Sequence, residues 1–405
     1  MTQTAKKSFF NQNVDLMNGP ILKSLLVFML PIFVSSLFQQ LYNTVDTMIV
    51  GNVLGDNALA AIGSCGSIYE LLVGFGIGIG NGLAIVAARS YGAQDEDLLK
   101  KTVAGSLVIG LIASAVITLA GALGLHPLLV LLDTPAEILE DAYRYIFLID
   151  LGVIVMFAYN LCAGLLRAIG NSVMPLVFLI LSSLLNVVLD IAFIAGMGMG
   201  VAGAAVATVI GQCTGAVLGI YLNLRHNPEV QLRVKFMKPN WKVIAPILEV
   251  GIPSEVKNGI GSVMNFGKNQ ILQGFNEVAT GVFGIYYKLQ SLFFMPLFGI
   301  NNATISILAY NYGARKPKRI VHTLKLASTV AVCIMLVGLA IFQLFPDKLL
   351  GLFNPTEDFM AIGIRALRIL SLPFPVAAIC IALSASFQAL GNGIYSTIVS
   401  LCRQM

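Results

Sequence analysis

The sequence has little charge for its length. Only 11% of its 405 residues are charged, whereas soluble globular domains carry about 25%. Hydrophobic residues make up 57%, and the mean hydropathy is +0.85. Too few charges are present to cover a water-facing surface of this size, which excludes a cytosolic enzyme, a nucleic-acid binder and a disordered chain. The composition instead indicates a membrane protein that crosses the bilayer several times.

Clusters of metal-binding or redox-active residues are also lacking. The six cysteines lie in apolar stretches without CxxC spacing, and none of the three histidines has a metal-ligand partner four residues later. We therefore expect no enzyme active site, no cofactor and no resident metal. The N-terminus lacks an apolar segment ending in small residues, so we expect the first membrane span to serve as an uncleaved insertion signal.

Long apolar runs are what the sequence has in abundance. A spanning helix needs about 20 mostly apolar residues, and the sequence holds ten complete candidates and the start of an eleventh near Tyr395. The complete candidates cover approximately 22–49, 58–88, 102–124, 142–167, 172–195, 201–224, 245–273, 279–310, 322–345 and 361–389. The sequence therefore predicts an all-α membrane protein.

Basic residues mark one side of the predicted bundle. They fall on alternate loops, such as those around Lys6, Lys100, Lys235 and Lys316, while the opposite loops are mainly acidic. Because cytoplasmic loops are enriched in lysine and arginine, we expect a cytoplasmic N-terminus. The long polar stretch 225–244 then lies on the same side.

An internal repeat occurs at an offset of 221 residues. Tyr-Gly-Ala at 91–93 recurs at 312–314, and Gly-Asn at 170–171 recurs at 391–392. Three further pairs share the offset, namely Asp56 with Glu277, Gly63 with Gly284, and Arg144 with Arg365. Five matches at one offset indicate a duplication. Since each copy would hold six spans, the two copies enter from the same side and are parallel repeats with a cleft between them.

The repeat predicts an N-terminal lobe at 1–224, a cytoplasmic linker at 225–244 and a C-terminal lobe at 245–405. At the same offset, the second copies of the fifth and sixth spans would extend to about residue 445, whereas the sequence ends at Met405. The second repeat is therefore expected to be incomplete, as a fragment or a truncated product.

Ionisable and polar residues inside apolar spans are candidates for a functional site. Asp46 lies near the outer end of the first span, and Asn186 and Asp190 share one face of the fifth. Thr208 lies at a similar depth in the sixth span. Carboxylate, amide and hydroxyl oxygens at one level could hold a proton or Na⁺. Alternatively, these side chains only link neighbouring helices.

A second set of polar residues suggests a substrate cleft. Its members are Gln39, Tyr42, Glu70, Asp150 and Lys288, and Glu255, Lys257 and Lys268 also fall within or near apolar spans. Intramembrane ion pairs and side chains that reach the interface are the alternative interpretation. Pro31 removes a backbone hydrogen bond from the first helix and is a candidate hinge.

Several segments together resemble the multidrug and toxic compound extrusion (MATE) transporters, in the bacterial form. They are 40–51 (QLYNTVDTMIVG), 89–93 (RSYGA), 166–171 (LRAIGN), 186–190 (NVVLD) and 200–208 (GVAGAAVAT). The resemblance implies two six-helix lobes around a V-shaped cleft. It also implies that Asp46, Asn186, Asp190 and Thr208 form the cation site of the first lobe and that helix 1 bends at Pro31.

The resemblance further implies cation-driven antiport of organic cationic or amphiphilic compounds across the bacterial plasma membrane. We expect H⁺ or Na⁺ as the coupling ion, a monomer in contact with membrane lipid, and no nucleic-acid partner. Some relatives carry carboxylates in the middle of helices 7 and 10, and the corresponding segments here, 259–265 and 377–383, have none. Two alternatives remain open: a lipid-linked saccharide flippase of the same superfamily, and a truncated remnant that does not transport.

Overall fold

The computed structural model describes residues 14–227, 240–274, 277–353 and 356–404, and this part of the chain is all-helical. Most of the predicted linker 225–244, together with Lys6 and Lys7, lies outside the described residues. Seven of the described helices are long and apolar enough to cross a membrane, and two bent pairs raise the number to nine. The chain is thus a multi-pass membrane protein.

Eight helices form the first half of the chain. They are α1 (Ile21–Leu54), α2 (Asp56–Ser64), α3 (Gly66–Gly92), α4 (Glu96–Leu131), α5 (Ala136–Leu151), α6 (Val153–Ala168), α7 (Val173–Asp190) and α8 (Val201–His226). A π-helical segment, Ile191–Gly196, extends α7.

Seven helices form the second half. They are α9 (Trp241–Gln273), α10 (Glu277–Gly313), α11 (Pro317–Leu344), α12 (Pro346–Gly351), α13 (Glu357–Ser371), α14 (Phe374–Ala389) and α15 (Gly393–Gln404). The 33-residue α9 is not among the nine apolar spans. It carries the charged residues Glu255, Lys257 and Lys268 along its length.

Three predicted spans are interrupted. The span predicted at 58–88 is divided at Cys65, whose N–H bonds to the Ile62 carbonyl in a tight turn (3.1 Å). The span predicted at 142–167 bends by 47° at Gly152, and the one at 361–389 bends by 42°. The second bend falls at Pro373, because proline cannot continue the hydrogen bonding of the preceding turn.

The backbone repeats at the offset found in the sequence. Gly170 and Gly391 adopt φ values of 87° and 85°, and Gln94 and Arg315 adopt 58° and 53°. These left-handed positions end equivalent helices in the two halves. The bent pairs α5–α6 and α13–α14 also begin 221 residues apart, at Ala136 and Glu357. The two halves therefore share these helix boundaries as well as their sequence motifs, whereas the break at Cys65 has no counterpart within α10.

Helix α1 connects the cores of the two halves. Leu25, Phe28 and Ile32 pack into a core cluster made mainly of α10, α11 and α14. Val50, near the other end of α1, packs into a cluster formed by the first half alone. Pro31 lies next to Ile32, and α1 continues through it without interruption. The proline is therefore near the point where α1 passes from one core to the other.

The two halves meet through α3 and α10 at the end of the bundle where the chain enters α1, here called the near end. A methyl group on Gly92 would overlap the Tyr310 carbonyl oxygen, and one on Gly313 would overlap the Arg89 carbonyl oxygen. Since each of these contacts is the repeat equivalent of the other, the seam is two-fold symmetric. Glycine permits this close helix approach, as is common between membrane helices.

An N-terminal arm, residues 14–19, crosses the near end. The Val14 N–H bonds to the Gly170 carbonyl (3.0 Å), which attaches the arm to the first half. Lys316 donates to Asn18 (3.0 Å), and Arg319 donates to the Gly19 carbonyl (2.6 Å), so the arm is also attached to the second half. The arm thus bridges both halves where the α3–α10 seam is closed.

Candidate functional site

Two carboxyl groups from distant parts of the first half face each other. Asp46 extends from α1, and Asp190 is the last residue of α7 and is fully buried (0% exposed). The two side chains are close enough to interact electrostatically. Neither Asp190 oxygen has a hydrogen-bond donor among the described residues. Because ionised carboxylates only accept hydrogen bonds, a shared proton or a bound cation is one way to satisfy this pair.

Polar side chains extend the pair along α7 and α8. Asn186 lies one turn before Asp190 and is 4% exposed, and its amide atoms have no partner among the described residues. Helix α8 approaches at Gly211, where a Cβ would lie 3.2 Å from the Cβ of Asn186. Thr208 is on α8, one turn before Gly211. The structure therefore brings Asp46, Asp190 and Asn186 into one region and places the helix that carries Thr208 against it.

Tyrosines surround the carboxyl pair. Tyr42, Tyr69 and Tyr145 lie within electrostatic range of Asp46, and they come from α1, α3 and α5. Tyr42 was predicted to line the cleft, and the structure places it beside Asp46. Tyr69 and Tyr145 were not predicted from the sequence, because no spacing rule relates α3 or α5 to α1. Their hydroxyl groups can donate or accept hydrogen bonds.

A π-helical segment begins directly after Asp190. In it, the Met197 N–H bonds to the Ala192 carbonyl, five residues back (2.9 Å). Such segments are rare and occur frequently at functional sites, since the wider turn changes the direction of nearby side chains. Apolar periodicity carries no signal for a π-turn, so this feature was not predicted. It places the Asp190 carboxyl at a change of helical pitch.

Helix α1 has a weakened turn at Pro31, between its contacts with the two cores. Proline has no N–H, so the carbonyl of Val27 loses its helical partner. The Ser35 hydroxyl donates to the Pro31 carbonyl (2.8 Å). Asp46 lies on the same helix, beyond this turn. A bend at Pro31 would therefore move Asp46 relative to the second half.

A large cavity of about 2210 Å³ lies between the two halves. Residues of α3 and α4 form one wall, and residues of α9, α10 and α13–α15 form the other. Most of the lining is apolar or aromatic, as in sites that bind drug-sized molecules. Tyr69 lines this cavity and is also one of the tyrosines near Asp46. The cavity and the carboxyl pair therefore share a wall residue.

Only one of the five residues predicted to line a substrate cleft is on the wall of this cavity. Glu70 is there, whereas Gln39, Tyr42, Asp150 and Lys288 are not. Asp150 is fully buried where α4 packs against α5, and its backbone carbonyl accepts a hydrogen bond from Thr118 (3.1 Å). Lys288 is exposed on α10. Polar residues of different spans thus lie in different surroundings. Spacing along one helix does not show which of them face the cavity.

Comparison with known proteins identifies relatives over nearly the whole chain. The MatE family model matches residues 31–192 and 253–405. The chain is 26% identical over 387 residues to "Probable multidrug resistance protein YoeA" of Bacillus subtilis (strain 168), covering 94% of this chain and 83% of that protein.

Solved structures match equally well. One, of MATE in the bent conformation, superposes with a TM-score of 0.89 at 26% identity and covers 96% of this chain and 87% of its own. Another, of MATE in the straight conformation, has a TM-score of 0.89 at 27% identity and covers 97% and 88%. The helical architecture described above is therefore the one found in these structures.

Proposed function

The chain belongs to the MatE family, and from this premise we propose that it is a secondary active antiporter that exports organic compounds in exchange for a cation. The exported compounds are organic cations or amphiphiles, and the coupling ion is H⁺ or Na⁺. The relatives named as multidrug resistance proteins support export as the direction of transport.

The proposal includes an arrangement of the chain in the bacterial plasma membrane. Residues 1–224 form one lobe and 245–405 the other, joined by a cytoplasmic linker at 225–244. The N-terminus is cytoplasmic, in agreement with the excess of Lys and Arg in the loops on its side. The near end then faces the cytoplasm, and the transporter acts as a monomer in lipid.

The pairing of Asp46 with Asp190 is the observation that carries the proposal. A proton or cation between these carboxyl groups holds α1 against α7, and its loss leaves two negative charges in contact. The ion therefore binds one arrangement of the two helices better than another. A ligand shifts a conformational equilibrium only through such a difference in affinity.

Helix α1 provides the path from the ion to the rest of the molecule. It packs against the second-half core at Phe28 and Ile32 and against the first-half core at Val50. Ion binding at Asp46 acts on the part of α1 beyond Pro31, and bending at Pro31 changes how the two halves meet. Solved MATE structures in a bent and in a straight conformation support two shapes for such a protein.

Substrate binding is assigned to the large cavity, with Tyr69 as the link to the ion site. Movement of α3 at Tyr69 affects both the cavity wall and the surroundings of Asp46. Binding of the ion and release of the compound are coupled in this way. At the ion site, Thr208 and Asn186 contribute oxygen ligands.

The test is ethidium efflux in vesicles with H⁺ and Na⁺ gradients imposed separately. We expect one of the two gradients to drive efflux by the wild type. Asp46→Asn and Asp190→Asn should each reduce the driven rate to that of protein-free vesicles, because an amide cannot bind and release a proton or balance a cation. Binding of ethidium itself should persist in both variants.

The matched control is Asp141→Asn, which removes an exposed carboxylate from α5. It should pump like the wild type. Gradient-driven efflux at the wild-type rate in both Asp46→Asn and Asp190→Asn would remove the coupling role of the pair. An equal loss in Asp141→Asn would indicate an effect of surface charge rather than of the site.

A lipid-linked saccharide flippase is the second candidate, and one observation favours it. Such a flippase needs cationic side chains to bind the phosphate groups of its substrate, and Lys257 and Lys268 line the cavity. Lys288, predicted to join them, is not on its wall. Complementation of a strain deficient in envelope synthesis, compared with drug resistance conferred on a sensitive strain, distinguishes the two functions.

A further inference from the structure

The ionisable residues on the second-half wall of the cavity are mostly basic. Lys257 and Lys268 on α9 and Arg403 on α15 line it, together with one carboxylate of the same half, Glu255. Charged side chains inside membrane segments are costly and usually face a cavity or a partner. Three cations on one wall of an otherwise apolar cavity therefore call for a ligand of complementary charge.

Two of these cations lie at the same level on adjacent helices. Helices α9 and α15 run side by side, and the Thr397 hydroxyl donates to the Pro253 carbonyl (2.9 Å). Lys257 follows Pro253 by about one turn, and Arg403 follows Thr397 by less than two. The two cations accordingly lie within electrostatic range of each other. Like charges are placed together here, which is unfavourable unless an anion separates them.

Among the described residues, the two cations lack a carboxylate in direct contact. Within the described ranges, neither Lys257 nor Arg403 forms an ion pair, and the ion pairs found there are Lys100–Glu96 and Arg144–Glu140. Glu255 is within electrostatic range of Lys257. Its side chain packs against α3 at Gly74 and Gly78, where the glycines leave room for it. The cationic pair therefore remains available to a ligand in the cavity.

Buried hydroxyl groups lie on the same wall. Ser384 on α14 and Ser400 on α15 line the cavity and are 4% and 5% exposed. Their oxygens are 3.4 Å apart, and Ser384 also contacts the Ser396 hydroxyl at 2.6 Å. Hydroxyl donors and cations are both usual partners of carboxylate, sulfonate and phosphate oxygens. The remaining lining, including Phe294 and Phe374, is aromatic and suits an apolar body.

We propose that the second-half wall of the cavity binds the anionic head group of an amphiphilic compound. Lys257 and Arg403 supply the charge, and Ser384 and Ser400 supply hydrogen-bond donors to a carboxylate, sulfonate or phosphate oxygen. The aromatic lining holds the apolar part. This inference rests on the proposed export function and specifies the head-group chemistry of the amphiphiles among its substrates as anionic or zwitterionic.

Two fluorescent probes with the same apolar body test the sign of the charge. 1-Pyrenesulfonate carries an anionic head and 1-pyrenemethylammonium a cationic one, and fluorescence anisotropy reports the binding of each to the purified full chain in nanodiscs. We expect the sulfonate to bind more tightly. Lys257→Gln and Arg403→Gln should each weaken sulfonate binding by roughly tenfold, as expected for loss of one charge-assisted hydrogen bond, without weakening binding of the ammonium probe.

Matched variants separate charge from folding. Lys257→Arg keeps the charge and should retain most of the sulfonate affinity. Lys242→Gln removes an exposed lysine from the first turn of the same helix and should bind both probes like the wild type. Size-exclusion profiles and thermal unfolding of every variant identify any that fails to fold. Ser384→Ala, which changes no charge, then provides a second test and should cause a smaller loss of sulfonate binding.

Two outcomes would overturn the inference. One is equal or tighter binding of the ammonium probe by the wild type, and the other is unchanged sulfonate affinity in both glutamine variants. Either result leaves the antiport proposal intact if Asp46→Asn still abolishes gradient-driven efflux. Conversely, charge-dependent sulfonate binding without any gradient-driven efflux in the wild type would contradict the antiport proposal and not the anion site.

Discussion

The two halves of the protein share a backbone and differ in the sign of the charges they carry inside the membrane. Asp46 in α1 corresponds to Gly267 in α9 at the repeat offset. In the other direction, Lys257 corresponds to Ser36, and Arg403 corresponds to Ser182. At these positions the first half has a carboxylate where the second is neutral, and the second has cations where the first has hydroxyls.

This difference separates features of the scaffold from features of function. Most helix starts, two pairs of left-handed turns and the contacts of α3 with α10 recur in both halves, because both copies pack in the same way. Apart from Arg144 and Arg365, the charged residues named here within the spans do not recur, since each is costly and is kept only where it has a function. We therefore expect shared features to respond equally when either copy is changed, and unshared features to respond in one half only.

The largest structural effect is expected at the shared glycine seam. Gly92→Val and Gly313→Val each force a side chain against a carbonyl of the partner helix, and each should lower the free energy of unfolding by about 2–3 kcal/mol. The two losses should be equal within error, since the contacts are repeat equivalents. Unfolding in mixed micelles titrated with dodecyl sulfate measures both.

A second pair of equivalent glycines serves as the control for that seam. Gly63 and Gly284 also lie 221 residues apart, and nothing would contact a Cβ at either position. Gly63→Ala and Gly284→Ala should therefore change the free energy of unfolding by less than about 1 kcal/mol, and towards stability, because alanine favours a helix. Unequal losses at Gly92 and Gly313 would contradict the symmetry of the seam.

The repeat, the fold class and the carboxyl pair were accessible from the sequence because they depend on apolar run length, residue spacing and rare intramembrane charges. Asp46 and Asp190 were predicted to converge, and the structure brings them together. Tyr69 and Tyr145 were not predicted, because contacts between distant helices leave no periodic signal. Pro373 itself indicates a bend in this span. The bend was not predicted, because the long apolar run suggested one continuous helix.

The cavity was less accessible than the carboxyl pair. Lys288 and Asp150 were predicted to line a cleft on the strength of their rarity, but rarity does not tell which side of a helix faces the cavity. Arg403 was not singled out at all, since it follows an ordinary apolar segment. Its importance depends on α15 packing beside α9, which only the three-dimensional arrangement establishes.

Among the described residues, the charged side chains that hold the N-terminal arm come from the second half. At the repeat offset, Asp95 and Leu98 replace Lys316 and Arg319, so the first half has no cation at either position. We expect Arg319→Ala, which removes donors to the Leu16 and Gly19 carbonyls, to weaken arm docking by roughly 1–2 kcal/mol. Hydrogen exchange at the amides of residues 14–19 should accelerate accordingly.

Lys318→Ala is the control for this arm contact, because Lys318 is exposed on the same turn of α11. It should leave exchange in the arm unchanged. If Arg319→Ala also left exchange unchanged, the remaining contacts of the arm, such as Val14 with Gly170 and Lys316 with Asn18, would be sufficient to hold it.

The smallest expected effect concerns Asp15 in the arm. Burial raises the pKa of Asp15, but the N–H groups of Met17 and Asn18 and the charge of Arg319 outweigh it, so the pKa is lowered below its ordinary value of 3.8. A carboxylate with a lowered pKa stabilises the docked arm above pH 3.8, and this contribution is lost as the pH falls through the lower, folded-state pKa. A ¹³C NMR titration of the Asp15 carboxyl should therefore have its midpoint below 3.8. In Arg319→Ala the midpoint should rise, since one favourable charge is removed, whereas in Lys318→Ala it should stay in place. A midpoint at 3.8 in the wild type would mean that Asp15 gains nothing from its neighbours, and the arm would then depend on Lys316 and Arg319 at every pH.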